Sequence, residues 1–325
     1  MTSGDDGLVC AFVLDGKGSG RALDWEGIRA WQPADGVLWV HLDREGADAQ
    51  DWLRNETGID PVSCQTLLTA EVRPRLLRLG DAALLLLRGV NLNPGANPED
   101  MVGLRIWAEE TRVITLRHRQ VTAVSDLRLA LADGAGPRDV GEFVAALADR
   151  MIERMAPVLD DIEDSIDGVE DAVLSEWNPE LRHRLNDLRR TAISLRRYLA
   201  PQRDVAQRLP FDLPDWVDDV SRARLRETGD RLLRYVEDLD AARERAQVTQ
   251  DELASAQAEQ TNKHTYHLTV IAALFLPPSF IAGLLGMNVG GMPGQSAPWA
   301  FVFTLVAMAL MGAVELWLLR RLKWI

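Results

Sequence analysis

Two long apolar runs occupy the C-terminal fifth of the chain, and a different periodicity governs everything before them. The run 268–287, LTVIAALFLPPSFIAGLLGM, carries no charge; the run 298–319, PWAFVFTLVAMALMGAVELWLL, carries only Glu315. Each is long enough to cross a hydrocarbon core of ~30 Å at ~1.5 Å per residue, so the pattern predicts two transmembrane helices. Residues 1–140 read differently. Short apolar or alternating runs at 8–14, 37–42, 74–79, 82–91, 101–108 and 112–117 predict strands, with Gly80-Asp81 as a hairpin turn and helices at 62–70 and 121–132. From residue 140 the periodicity is helical, with interruptions expected at Asn178-Pro179, at Pro201 and between Pro210 and Pro214. From Asp230 to Met287 no glycine or proline precedes Pro277, which predicts one helix of about 58 residues, or about 87 Å. That exceeds any membrane, so its first part is expected to stand outside as a stalk. Glu237, Asp238, Asp240, Arg243, Glu244 and Arg245 suit a solvated or inter-helix surface there.

Charge divides the chain at the same place. Residues 261–325 hold four bases against one acid, a balance of +3, while the first 260 hold 32 bases and 48 acids, a balance of −16. An acidic body argues against nucleic acid, which needs Lys and Arg to displace counterions. It favours cationic partners. Cys10 and Cys64 make neither a disulfide framework nor a thiolate metal site. The first residues, MTSGDDGL, lack the basic start and apolar run of a signal peptide. The link between the apolar runs, NVGGMPGQSA, is uncharged, whereas Lys263 precedes the first run and Arg320, Arg321 and Lys323 follow the second. The positive-inside rule then puts both ends of the chain in the cytoplasm, and Trp299, Trp317 and Trp324 fall where indoles anchor at the interface. The reading is an α+β membrane protein with a cytoplasmic α/β domain (1–140), a cytoplasmic helical region and stalk (141–260) and a transmembrane hairpin (261–325).

Two spans cannot enclose a hydrated path, so conduction requires a ring of subunits with one helix of each lining the axis. Steps of three and four residues from Asn262 pick out Thr265, Thr269, Ala272, Leu276, Ser279, Gly283 and Gly286, a stripe polar or small everywhere except Leu276. Such a stripe fits a pore lining and also fits close helix packing. Pro277 and Pro278 leave the carbonyls of Ala273 and Leu274 without their helical amide partners, which predicts a kink or a hydrated carbonyl. Glu315 is expected to reach the interface or pair with a base. Asp160, Asp164, Asp167 and Asp171, widened by Glu163 and Glu170, share one helical face, either a cation collector or a solvated acidic surface. His264 and His267 stand at i and i+3, a spacing that can share a zinc ion and is equally ordinary at a membrane boundary. His41, His118 and His183 have no sequence partner and read as structural. No catalytic set and no GxxxxGKS phosphate loop is present, so neither an enzyme nor an ATP-driven pump is expected, and no cofactor.

Gly286-Met287-Asn288, after an apolar proline-containing helix and before a short loop and a last helix, resembles the signature of the CorA family of divalent-cation transporters. The following Val289-Gly290-Gly291-Met292-Pro293-Gly294 resembles the ZntB zinc-transporter branch, as do residues 73–107 and the close Arg320-Arg321-Leu322-Lys323-Trp324. Magnesium members typically carry an acidic residue in this loop, and here there is none. Met287 departs from the β-branched aliphatic common in the ZntB branch. The resemblance implies a homopentameric funnel in a bacterial-type inner membrane, the first span lining the axis and Asn288 of each subunit ringing the outer mouth. It implies divalent metal, and possible proton, partners, with proton-coupled zinc uptake the expected activity and neither nucleic acid nor nucleotide involved. Zinc efflux, a CorA-like magnesium channel and a membrane-anchored sensor or scaffold remain the alternatives.

Overall fold

The computed structural model describes residues 6–70, 73–175, 179–287, 294 and 297–322. Seven strands form one sheet: β1 (Leu8–Leu14), β2 (Gly20–Leu23), β3 (Val37–Asp43), β4 (Arg75–Leu79), β5 (Ala82–Gly89), β6 (Val102–Glu109) and β7 (Arg112–Arg117). Their order is β2-β1-β3-β7-β6-β5-β4, and only β3 and β7 run parallel. The helices are α1 (Trp25–Ala30), α2 (Ala47–Asn55), α3 (Pro61–Leu68), α4 (Thr122–Ala132), α5 (Val140–Glu153), α6 (Ala156–Ser175), α7 (Pro179–Asp212), α8 (Asp219–Leu285) and α9 (Ala300–Arg321).

Both faces of the sheet are covered, which is why its central strands are apolar at nearly every position. Alternate residues of β5 go to opposite layers: Ala83, Leu85 and Leu87 to one, Leu84 and Leu86 to the other. The first layer packs Trp39 and Ile106 against α4, α5 and parts of α7 and α8, with Phe143 edge-on to Trp39 at 5.0 Å. The second packs Val40, Leu42 and Ile114 against Trp52, Leu53 and Leu67 of α2 and α3. Helix starts are marked in sequence: Asp60 accepts from the amides of Val62 and Ser63 before Pro61 opens α3, and Asp139 accepts from Glu142 at the start of α5. Gly80, with φ of 64°, makes the expected β4–β5 turn.

Three features depart from the sequence expectations. The strand β2 and the helices α1 and α2 are present without having been foreseen, being too short to show a period. Pro201 does not interrupt the chain but lies inside α7, whereas the break expected between Pro210 and Pro214 is present, α7 ending at Asp212 and α8 beginning at Asp219. The long helix begins at Asp219 rather than Asp230 and includes Gly229; it runs on through Pro277-Pro278 to Leu285 as expected, 67 residues in all. A side chain on Gly229 would meet the Ala206 carbonyl at 3.3 Å, so glycine lets α8 lie close to α7.

Next to Pro201, Gln202 is fully buried and acts as a short piece of strand. Its Oε1 accepts from the Arg88 amide at 2.6 Å and its Nε2 donates to the Arg88 carbonyl at 2.9 Å. These bonds satisfy the end of β5 beyond its pairing with β4. Gln202→Ala is expected to cost about 2–4 kcal/mol, because it leaves two backbone groups unpaired as well as a void. Thermal unfolding in detergent checks this, and a midpoint within about a degree of wild type contradicts it.

His41 confirms the structural reading of an isolated histidine. Its Nδ1 lies 2.8 Å from Thr115 Oγ1, which also accepts from Trp39 Nε1 at 2.9 Å. Burial, reinforced by the charges of Arg117 and Arg128, lowers its pKa to about 3, so the ring is neutral at pH 7.

Candidate ion pathway

The chain divides into two compact units, Met1–Gln250 and Asp251–Ile325. Residues 219–250 of α8 belong to the first and 251–285 to the second.

In the second unit, the apolar part of α8 and the whole of α9 are each long and apolar enough to cross a membrane, and neither apolar window is buried. Leu268, Ile271, Phe275 and Phe280 on α8, and Phe301, Val302 and Leu310 on α9, stand open. Apolar surface on this scale calls for lipid or further copies of the chain. From His264 to Leu285 the half-buried positions are Val270, Leu274, Pro277, Pro278 and Ile281. On α9 they are Ala300, Thr304, Met308, Met311, Gly312, Glu315 and Leu319, again three or four apart. These are the faces the two helices turn to each other, and Ile281 and Leu285 share an apolar groove with Phe303, Ala307 and Met311.

Asn262, Thr265, Thr269, Ala272, Leu276, Ser279 and Gly283 are all exposed. At about 100° per residue this stripe lies roughly 155° around α8 from the half-buried face. Packing against α9 therefore does not account for its small and polar residues. The Thr269 hydroxyl donates to the Thr265 carbonyl at 2.8 Å, keeping its lone pairs outward. At the end of α8 the Gly286 amide donates to Ala282 and the Met287 amide to Leu284. Asn288, like Lys323 and Trp324, lies outside the described residues.

Glu315 is half-buried on the face towards α8, with Oε2 shielded and without a partner among the described residues. Beside Arg320, Arg321 sits 5.2 Å over the ring of Trp317 at the end of α9. His264 and His267 are exposed, and the Tyr266 ring lies edge-on to His267 at 6.0 Å. Among the described residues no three His, Cys, Asp or Glu side chains converge to hold a metal. A histidine pair falls short of the usual four zinc donors, so any shared site there needs further subunits.

In the first unit, Asp160, Asp164, Asp167 and Asp171 project from α6 and are exposed. The sequence pattern did not reveal what faces them. Arg245 of α8 pairs with Asp167 and, at 2.6 Å, with Glu170, which also accepts from the Thr249 hydroxyl. Part of the acidic face is thus neutralised across the α6–α8 seam. Asp160 and Asp164 have no such arginine among the described ion pairs, and partial burial together with Asp238 and Asp160 pushes the Glu163 carboxyl up. Concentrated negative charge persists at that end. His118 sits 3.0 Å from Glu45.

The family described as "CorA-like Mg2+ transporter protein" matches residues 34–321. The chain is 41% identical to the "Divalent cation transporter CmaX" of Pseudomonas aeruginosa, over 99% of this chain and 98% of that one. It is 37% identical to the "Zinc transport protein ZntB" of Pectobacterium atrosepticum, over 98% and 96%. The solved structure of full-length CmaX superposes with a TM-score of 0.87 at 39% identity, covering all of both chains.

Proposed function

Since the chain belongs to the CorA-like family of divalent-cation transporters, we propose that it carries zinc and similar transition-metal ions through a homopentameric pore lined by the end of α8. The family is one of transporters, not enzymes, and the metal is cargo rather than cofactor. The observation that carries the pore reading is the stripe from Asn262 to Gly283, exposed and turned away from α9. In a ring, that face meets the axis while the apolar flanks meet lipid and neighbours.

Metal would meet the Asn288 ring, flanked by Gly286 and Met287, then pass Gly283, Ser279, Leu276 and Thr269. An amide oxygen is an uncharged acceptor that holds a hydration shell without trapping a dication. His264 and His267, repeated around a ring, supply nitrogen donors that suit zinc better than magnesium. The acidic face of α6 attracts cations through its summed field. The Lys263, Arg320, Arg321 and Lys323 flanks put the chain's ends in the cytoplasm, and the family resemblance implies a bacterial-type inner membrane. With no nucleotide-hydrolysing loop, transport follows the metal gradient or a coupled proton, and the ZntB resemblance favours proton-coupled uptake. Zinc flux in proteoliposomes, with the proton gradient set in each direction, tests this: flux indifferent to the gradient removes the coupling, and flux only outward makes the protein an exporter.

The family description favours a second reading, a magnesium channel. The link 288–297 has no Asp or Glu to capture magnesium by field strength. Tenfold excess magnesium is therefore expected to leave zinc flux nearly unchanged. Suppression in proportion to the magnesium excess would place the protein with the magnesium channels.

A further inference from the structure

The soluble unit of this acidic protein contains a cavity of about 450 Å³ whose charge is reversed. Arg44, Arg88, Arg105, Arg119 and Arg197 line it, with Glu99 and Asp100 as the lining acids. Its place in the fold is specific. The parallel strands β3 and β7 end side by side at Asp43 and Arg117, and Arg44 and Arg119 come from the segments that follow them. The mouth beyond the carboxyl ends of parallel strands is where open α/β sheets commonly bind ligands.

Arg105 gives the cavity its chemistry. It lies in the middle of β6, between Leu86 of β5 and Leu116 of β7, and is 4% exposed. One terminal nitrogen donates to the carbonyls of Thr69 and Ala70, both at 2.8 Å, while Nε is shielded and has no partner. Among the described residues no carboxylate pairs with it. Burial above all, with the charges of Arg44 and Arg88 added, pulls its pKa down to about 10. Arg44 is also largely covered, its Nε shielded without a partner and its nearest acid, Glu45, at 3.5 Å and shared with His118. Arg88 donates to the Met101 carbonyl at 3.0 Å, and the guanidiniums of Arg88 and Arg197 lie 4.9 Å and 4.7 Å from the Tyr198 ring.

Gathering arginines around a largely buried, unpaired one is costly unless something of opposite charge occupies the space. We propose that this cavity binds a small phosphate-bearing anion. Guanidinium forks match phosphate oxygens in pairs, and the volume exceeds what a single inorganic phosphate fills. The lack of a GxxxxGKS loop argues against nucleotide hydrolysis as the driving force and leaves binding of a phosphate group open.

The test uses the full chain in detergent, metal-free with EDTA and at constant ionic strength set with sodium gluconate. Inorganic phosphate, pyrophosphate and chloride are titrated separately by calorimetry. Phosphate and pyrophosphate are expected to bind saturably, pyrophosphate tighter, and chloride at least about tenfold more weakly than either. The double variant Arg119→Gln, Arg197→Gln changes exposed side chains, so its unliganded melting temperature should match wild type while phosphate affinity falls about tenfold or more. Arg105→Gln should abolish binding, but its burial makes the exposed pair the deciding variant. Absence of saturable binding, chloride binding as tight as phosphate, or undiminished affinity in the double variant each overturns the assignment.

Discussion

Asn288→Ala is expected to cut metal flux by at least about a hundredfold while the protein still assembles and inserts. In a ring the substitution removes five amide acceptors at once. At about 1 kcal/mol for each hydrogen bond to the hydrated ion, the sum is about 5 kcal/mol, or more than three powers of ten. The hundredfold figure allows water to take over part of the role. Assembly should survive because the substitution leaves unchanged the half-buried face of α8 towards α9, Val270, Leu274, Pro277, Pro278 and Ile281. Zinc flux into proteoliposomes, beside size-exclusion and cross-linking profiles, gives the answer. Normal flux in a correctly assembled variant removes Asn288 from the pore mouth.

Leu276→Ser is expected to raise basal flux about tenfold and weaken its dependence on the driving gradient. Leu276 is the bulky apolar residue on a stripe otherwise polar or small, and it is 67% exposed in the single chain. Its side chain is therefore not used in packing its own hairpin. Five leucines meeting at an axis leave an apolar neck, which stops ions by losing its water. It directly precedes Pro277-Pro278, where the missing amides leave the helix easiest to bend. A serine ring keeps the neck wet and lowers that barrier. Unchanged flux with unchanged gradient dependence moves the gate down the stripe, to Thr265 and Asn262.

The two apolar runs, 268–287 and 298–319, lie within about two residues of the membrane-length helix ends at Leu285, Ala300 and Arg321. The strand β7 was read at its observed bounds, and β1 likewise. These elements are local: a strand buried on both faces must be apolar, and a helix in lipid must be long and uncharged, whatever its neighbours. Pro201 was misread for the converse reason. Proline weakens a helix by a few kcal/mol, and tertiary packing of Val205, Leu209 and Leu213 against the sheet outweighs that local cost.

The candidate stripe on α8 was legible because its spacing belongs to one helix, but its direction was not. Only the half-buried positions on α8 and α9 show that the stripe faces away from its own hairpin. The partial neutralisation of the acidic face by Arg245 was likewise invisible, since Asp167 and Arg245 lie on different helices far apart in sequence. The arginine cavity is the extreme case. Residues 44, 88, 105, 119 and 197 share no motif, and they meet because β3 and β7 run parallel, β5 and β6 flank them and α7 brings Tyr198 alongside. Periodicity and apolar length are written in neighbouring residues, so the sequence alone determined the longer strands, the two membrane-length helices and the family. Strand order, register and helix crossing depend on which distant surfaces bury one another, and only the tertiary structure decided which charges face each other and what they are left to bind.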